Sequence, residues 1–251
     1  MRIVIIGSGN VASVLGRLCK RNDHEVVQVI SRNPAHAKLL ADELGCSFTG
    51  YDGVLNKNAD LYLLAVADGA LYELNKSIQL DNKLLLHTAG SVPKDVLQNM
   101  SANYGVLYPL QSLRKEMSYE QDIPFLVDGN SEETITLVED FARSLSATVG
   151  KAGDEERLKL HVAAVIVSNF TNHLYALAEE YCQKEQVDFD LLVPLIKETA
   201  NRVSLVSPAA SQTGPAVRND VFTLDKHLRL LSDHPRLKYI YLKLTDSIMK
   251  G

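Results

Sequence analysis

Gly7, Gly9 and Ala12 stand at the spacing G-x-G-x-x-A, directly behind the apolar run Ile3-Val-Ile-Ile6. Small residues at that spacing suit a pyrophosphate. Gly7 permits a tight turn, Gly9 has no Cβ to hold a phosphate away from the backbone, and Ala12 lets a helix pack closely on the preceding strand. The helix N-terminus adds free N–H groups and the positive end of its dipole. Ser8, Asn10 and Val11 complete the expected cradle. The chemistry indicated is dinucleotide binding. The alternative is an α/β domain whose first turn merely contains glycines, because the spacing alone is a weak signal.

A second apolar run, 25–30, ends at Ser31-Arg32-Asn33-Pro34. In a dinucleotide fold that strand end faces the adenosine ribose, where an acid suits NAD and an arginine suits the 2′-phosphate of NADP. No acid stands here, so Ser31 and Arg32 point to NADP(H). Otherwise Arg32 is a solvated surface residue. Ligands of open α/β sheets bind outside the carboxyl ends of the strands. Ala65, Val66 and Ala67 close the run 60–68, and His87 and Thr88 close the run 83–90, so all five are expected to line the groove. His87 either approaches the nicotinamide or is a strand-end histidine satisfied by backbone.

A third group lies further on. The stretch 160–178 holds no Asp, Glu, Lys or Arg. On a wheel of about 100° per residue, His161, Val165, Ser168 and Asn172 form one stripe with Asn169 beside it. An apolar helix of this kind is expected to be buried, so the stripe is either a structural polar network or a cleft wall. Arg218 could bind a substrate carboxylate through its planar fork of donors, or pair with Asp220. His24, His36 and His234 stand among polar or charged residues and read as surface. No metal-ligand spacing is present.

The elements that must position these residues follow from the pattern. Strands alternate with helices through about residue 150: helices over 35–44, 71–78 and 131–145, and further strands near 105–112 and 123–127. That alternation predicts an α/β fold, a doubly wound parallel sheet over 1–150. From 151 to 251 only helical patterns follow, over 155–183, 190–206, 221–231 and 235–249, predicting a smaller all-α C-terminal domain. The 251 residues are 46% apolar and 23% charged with net charge −5, a soluble globular balance with no basic surface for nucleic acid. Cys19, Cys46 and Cys182 form no disulfide framework, so a reducing cytoplasm is expected. The opening apolar run is too short for a signal peptide, and polar residues within 160–178 argue against a membrane span.

The N-terminal G-S-G-N-V-A, Ser31-Arg32 and His87-Thr-Ala-Gly-Ser resemble Rossmann-like oxidoreductases related to coenzyme F420-dependent NADP oxidoreductase and pyrroline-5-carboxylate reductase. Tyr108-Pro-Leu-Gln, His161-x7-Asn169, Asn172-His173 and Thr213-Gly-Pro-x-x-Arg218-x-Asp220-x6-His227 resemble a narrower group, with a DUF2520 C-terminal domain. The resemblance implies a Rossmann domain, a helical domain of the 6-phosphogluconate dehydrogenase C-terminal type, and frequent dimerisation. Relatives among the β-hydroxyacid dehydrogenases carry Lys-x-x-x-Asn on the long helix. Here Lys159 is followed by Ala163, so that pair is absent.

The function expected is hydride transfer between NADP(H) and a small carbonyl, alcohol or imine substrate. His161 is the candidate acid/base, because imidazole titrates near working pH. Asn169 and Asn172 would orient substrate, Ser168 and Arg218 would contact it, and His87 is the alternate proton donor. The rival expectation is a nucleotide-binding sensor or regulatory protein without turnover; a weaker one passes hydride to a deazaflavin. A homodimer is expected, because 160–178 needs cover on every side.

Overall fold

The computed structural model describes residues 1–75, 78–117 and 122–250. They divide into two compact units, Met1–Ser168 and Asn169–Gly251.

In the first unit the elements run β1 (Arg2–Ile6), α1 (Asn10–Arg21), β2 (Glu25–Ile30), α2 (Pro34–Leu44), β3 (Ser47–Thr49), β4 (Leu61–Leu64), α3 (Asp68–Leu74), β5 (Leu84–His87), β6 (Asn103–Pro109), β7 (Phe125–Gly129), α4 (Glu132–Leu145), β8 (Val149–Lys151) and α5 (Asp154–Ala164). The strands form one sheet in the order β3-β2-β1-β4-β5-β6-β7-β8. Ile3–Ile6, 61–64 and 84–87 are buried throughout, as central parallel strands require. One side of the sheet carries a core with Ile3, Ile5, Leu15 and Phe141, the other a core with Val4, Ile6, Tyr62 and Leu97. The helix expected over 71–78 occupies Asp68–Leu74, and residues 76 and 77 lie outside the described ones.

The sheet departs from the all-parallel expectation at one place. β7 pairs with β6 antiparallel, and β8 then pairs with β7 in parallel. A β-strand reads as an apolar run in either direction, so residue type alone carries no sign of this reversal.

The second unit is helical: α6 (Thr171–Lys184), α7 (Val193–Arg202), α8 (Val221–Leu230) and α9 (Pro235–Lys250). Asp188 accepts from the Asp190 N–H at a short 3-10 turn before α7, and Asp220 caps α8. A π-helical turn, Val165–Phe170, carries the boundary between the units. No helix among the described residues is long and apolar enough to cross a membrane.

Candidate functional site

Because β1, β2, β4, β5 and β6 are parallel, their carboxyl ends share one edge of the sheet. Gly7 leaves β1 at φ 128°, and a Cβ there would lie 2.1 Å from the Ala65 carbonyl oxygen. Both the backbone angle and that close approach exclude a side chain. Gly9 caps α1 in ordinary extended geometry, and nothing stands within 4 Å of the place its Cβ would take. The N–H groups of Asn10, Val11 and Ala12, the first of α1, have no intrahelical acceptor, while the Ser13 N–H donates to the Gly9 carbonyl at 3.0 Å. A helix N-terminus of this kind suits an anion. The Asn10 side chain accepts from the Lys115 N–H at 3.3 Å.

The turn is tied to the end of β2. Ser8 Oγ and Ser31 Oγ lie 2.8 Å apart, and the Gly7 N–H donates to the Ile30 carbonyl at 2.7 Å. Ser31 is buried while Arg32 beside it is exposed. Arg32 lies close enough to Tyr51 for its charge to oppose the rise that burial gives the Tyr51 hydroxyl pKa. A cavity of about 150 Å³ next to Ser8 is bordered by His36 and Lys115. At the end of β4, Ala65 is buried, Val66 half-buried and Ala67 exposed as the N-cap of α3. Thr88 is buried, and its N–H donates to the Leu64 carbonyl at 3.2 Å.

His87 is fully enclosed, at 0% exposure. Its Nδ1 accepts from the Ala89 N–H at 3.1 Å, which places the ring proton on Nε2. That Nε2 is buried without a partner among the described residues. Burial, then the nearby Arg157 guanidinium, push its pKa down to about 4. His87 is therefore neutral and inward-facing at neutral pH. In this chain its surroundings are those of a buried strand-end histidine.

Arg157 escaped the sequence reading. It is 1% exposed, on the first turns of α5. Its Nη2 donates to the Val92 carbonyl and to Asp154 Oδ1, each at 2.6 Å. Asp154 Oδ1 also accepts from the Lys94 N–H at 3.0 Å. Burial alone would raise the Asp154 carboxyl; Arg157 and Lys94 overcome this and hold it below the usual carboxylate range. Lys94 in turn pairs with Asp128 at 2.9 Å. These bonds dock α5 on the segment that follows β5. The available signal was spacing: Arg157 precedes His161 by one helical turn, so the two share a face.

That docking sets His161 against the sheet edge. Its Nδ1 lies 2.9 Å from the Tyr108 hydroxyl at the end of β6, with the rings edge to face at 5.8 Å and 78°. Gly90 lies under both: a Cβ there would meet His161 Nδ1 at 2.8 Å and Tyr108 Cζ at 2.9 Å. Tyr108 is nearly buried, and burial raises its hydroxyl pKa, opposed by Arg157. Asp68, bonded to Ser91, lies within electrostatic reach of Tyr108. The strand-end loop thus gathers an imidazole, a phenol and a carboxylate. That set can bind an acceptor atom and move a proton.

The remaining candidates stand apart from this group or belong to the second unit. Ser168 is half-buried on the π-helical turn; Asn169 and Asn172 are exposed. The expected burial of 160–178 is not found in this chain: Val162, Ile166, Val167 and Phe170 are more than half exposed. His161, Val165 and Ser168 of the stripe are half-buried, and i→i+5 bonding through the π turn changes the angular advance per residue beyond Val165. Arg218 is exposed, and Asp220 accepts from Thr223 N–H and Oγ1 at 3.1 and 2.7 Å. His227 Nδ1 lies 2.8 Å from the Tyr241 hydroxyl. His36 is exposed and His24 half-buried, but His234 is enclosed, 2.7 Å from Glu185 and edge-on to Tyr181. Tertiary packing on α6 buried it, which its polar sequence neighbours did not foretell. No group of His, Cys, Asp and Glu among the described residues could hold a metal ion.

Comparison with known proteins comes from families and solved structures. Residues 2–90 match the family model described as NADP oxidoreductase coenzyme F420-dependent, and residues 123–248 match the domain of unknown function DUF2520. A provisionally assigned NADP oxidoreductase from Bacteroides fragilis is similar over 100% of this chain and 98% of its own, at 38% identity and TM-score 0.94. A Thermotoga maritima protein is similar over 99% and 100%, at 20% identity and TM-score 0.81. A reductive aminase from Aspergillus terreus, solved with NADPH and ethyl-5-oxohexanoate, is similar over 99% and 93%, at 16% identity and TM-score 0.71. The last two likenesses are of fold. No curated protein matches the chain.

Proposed function

This chain belongs to the DUF2520 family, and from that premise and the strand-end geometry we propose that it is an NADP(H)-dependent oxidoreductase acting on a small carbonyl, alcohol or imine carbon. The observation that carries the reading is the open cradle in front of Gly9, tied through Ser8 to Ser31 beside Arg32. The residues fit the cofactor. Gly7, Ser8, Gly9, Asn10 and Val11 would hold its pyrophosphate, and Ser31 with Arg32 its 2′-phosphate. Ala65, Val66, Ala67 and Thr88 would border the groove. When bound, the cofactor supplies or takes the hydride.

The chain's own work is then to orient substrate and stabilise the atom that gains charge. His161 serves that atom as a hydrogen-bond donor, since it is half-buried, lies at the strand-end loop and bonds a phenol through one nitrogen only. His87 is set aside for that role, because its neutral ring is enclosed.

The test is cofactor choice. Dissociation constants for NADPH and NADH are measured for the wild type and for Arg32→Ala. NADPH is expected to be favoured by about 1–3 kcal/mol in the wild type, the worth of a charge-assisted hydrogen bond or two. That preference should shrink in Arg32→Ala. Equal affinities in the wild type would contradict the NADP reading. Turnover of any carbonyl or imine compound then separates an enzyme from a nucleotide sensor.

The exposed apolar surface along 160–178 supports a further part of the same reading, a homodimer that covers it.

A further inference from the structure

The Tyr108 phenol has one proton to donate, and among the described residues His161 Nδ1 is its hydrogen-bond partner. If Nδ1 carried a proton and donated to the phenol oxygen, the phenol's own proton would be left without an acceptor in a nearly buried place. If the phenol donates, its proton and the Nδ1 lone pair are both satisfied, and the proton of the neutral imidazole sits on Nε2. His161 Nε2 makes no hydrogen bond among the described residues, and the side chain is half-buried. Gly90 leaves the room in which the two rings meet, since any Cβ there would strike both.

We propose that Tyr108 is a positioning residue that holds neutral His161 in its Nε2–H tautomer, so that the site offers an uncharged donor to a neutral acceptor atom. This deepens the oxidoreductase reading and rests on it. The substrate class follows from the chemistry of that donor. A carbonyl oxygen or the lone pair of an unprotonated imine accepts from Nε2–H. A protonated iminium has an N–H of its own and no lone pair, so it finds no partner there. The donor is also best placed where charge develops, on the oxygen or nitrogen that gains electron density as hydride reaches the carbon.

The experiment reads the tautomer by ¹⁵N-resolved NMR of the histidine side chains in the full-length chain, at a pH where His161 is neutral. His161→Gln assigns the resonances. In the wild type we expect one tautomer, protonated at Nε2, with Nδ1 shifted as a hydrogen-bonded acceptor. In Tyr108→Phe we expect that Nδ1 shift to be lost and the second tautomer to become visible. Gly90→Ala, which pushes the rings apart without removing either, should do the same and serves if Tyr108→Phe does not fold. A proton on Nδ1 in the wild type, or a Nδ1 resonance unchanged in the folded variants, overturns the proposal. Titration of the wild type with NADPH is run beside it. Failure to bind NADPH would remove the oxidoreductase reading while leaving the tautomer result intact, so the two failures are distinguishable.

Discussion

A histidine's role depends on what encloses it, and His87 and His161 show this within one loop cluster. His87 sits at a strand end, where sequence reading left two roles open. Enclosure in the sheet leaves it neutral, with its pKa near 4 from burial first and Arg157 second. This has a consequence for stability. The folded pKa is depressed below that of the unfolded chain, so the contribution is fully present above about pH 6.5 and is lost as pH falls toward about 4. A shift of that size corresponds to roughly 3 kcal/mol. Denaturant unfolding of wild type and His87→Asn at pH 7 and pH 4.5 checks it. The wild type should lose more stability between the two pH values than the variant does. Equal losses would mean that the carboxylates, not His87, set the acid limb. His161 was legible as a candidate and Tyr108 as part of a motif, whereas their pairing was not, because the two are 53 residues apart and only the sheet edge joins them.

Among elements, the β1 turn and α1 divide their labour between two glycines. Gly7 serves the fold: its φ of 128° and the 2.1 Å approach to Ala65 leave no place for a side chain. Gly9 is not needed by the fold and fits the proposed ligand role: its backbone is ordinary, and only open space lies where a Cβ would go. We therefore expect Gly7→Ala to unfold or strongly destabilise the protein, by about 3 kcal/mol or more from strain and overpacking. Gly9→Ala should keep its melting temperature within a few degrees and lose NADPH affinity by about tenfold or more, a loss of about 1.4 kcal/mol. Thermal unfolding with an NADPH titration of both variants checks the pair. Retained affinity in a well-folded Gly9→Ala would move the phosphates away from this turn. At the same scale, α5 is docked through Arg157, which is enclosed although charged residues are mostly exposed. The π turn that follows is a local change of hydrogen bonding that no periodicity argument on 160–178 anticipated.

For the whole molecule, the decisive observation is what this chain leaves uncovered. Val167 is 72% exposed and Phe170 59%, on a stretch without a single charged side chain. Apolar area of that kind marks an association surface, at about 25 cal/mol for each Å² buried. In the proposed homodimer a second copy would supply cover by symmetry, since the same face meets itself in an isologous dimer. Sedimentation of the wild type at low micromolar concentration should give a dimer mass. Val167→Glu with Phe170→Glu should shift it to monomer, because two unpaired charges would then face the contact. A monomeric wild type at that concentration would leave the helix face to another partner.

The order of strand, glycine turn, helix and strand was readable from the first thirty or so residues, because a parallel strand buried on both faces must be a continuous apolar run and a phosphate turn must lack side chains. The change to an all-helical pattern near 151 was readable for the same reason: hydrophobic period reports secondary structure directly. Tertiary structure alone decided the rest. The reversal of β7 against β6, the enclosure of Arg157 and His234, and the meeting of Tyr108 with His161 over Gly90 all join residues far apart in the chain. Such pairings depend on which strand edge and which helix face come together, and a local pattern carries no information about that choice. The exposure of 160–178 belongs here too. An uncharged helix announces that it must be covered, but only the folded chain reveals that Val162, Ile166 and Val167 stand more than half exposed.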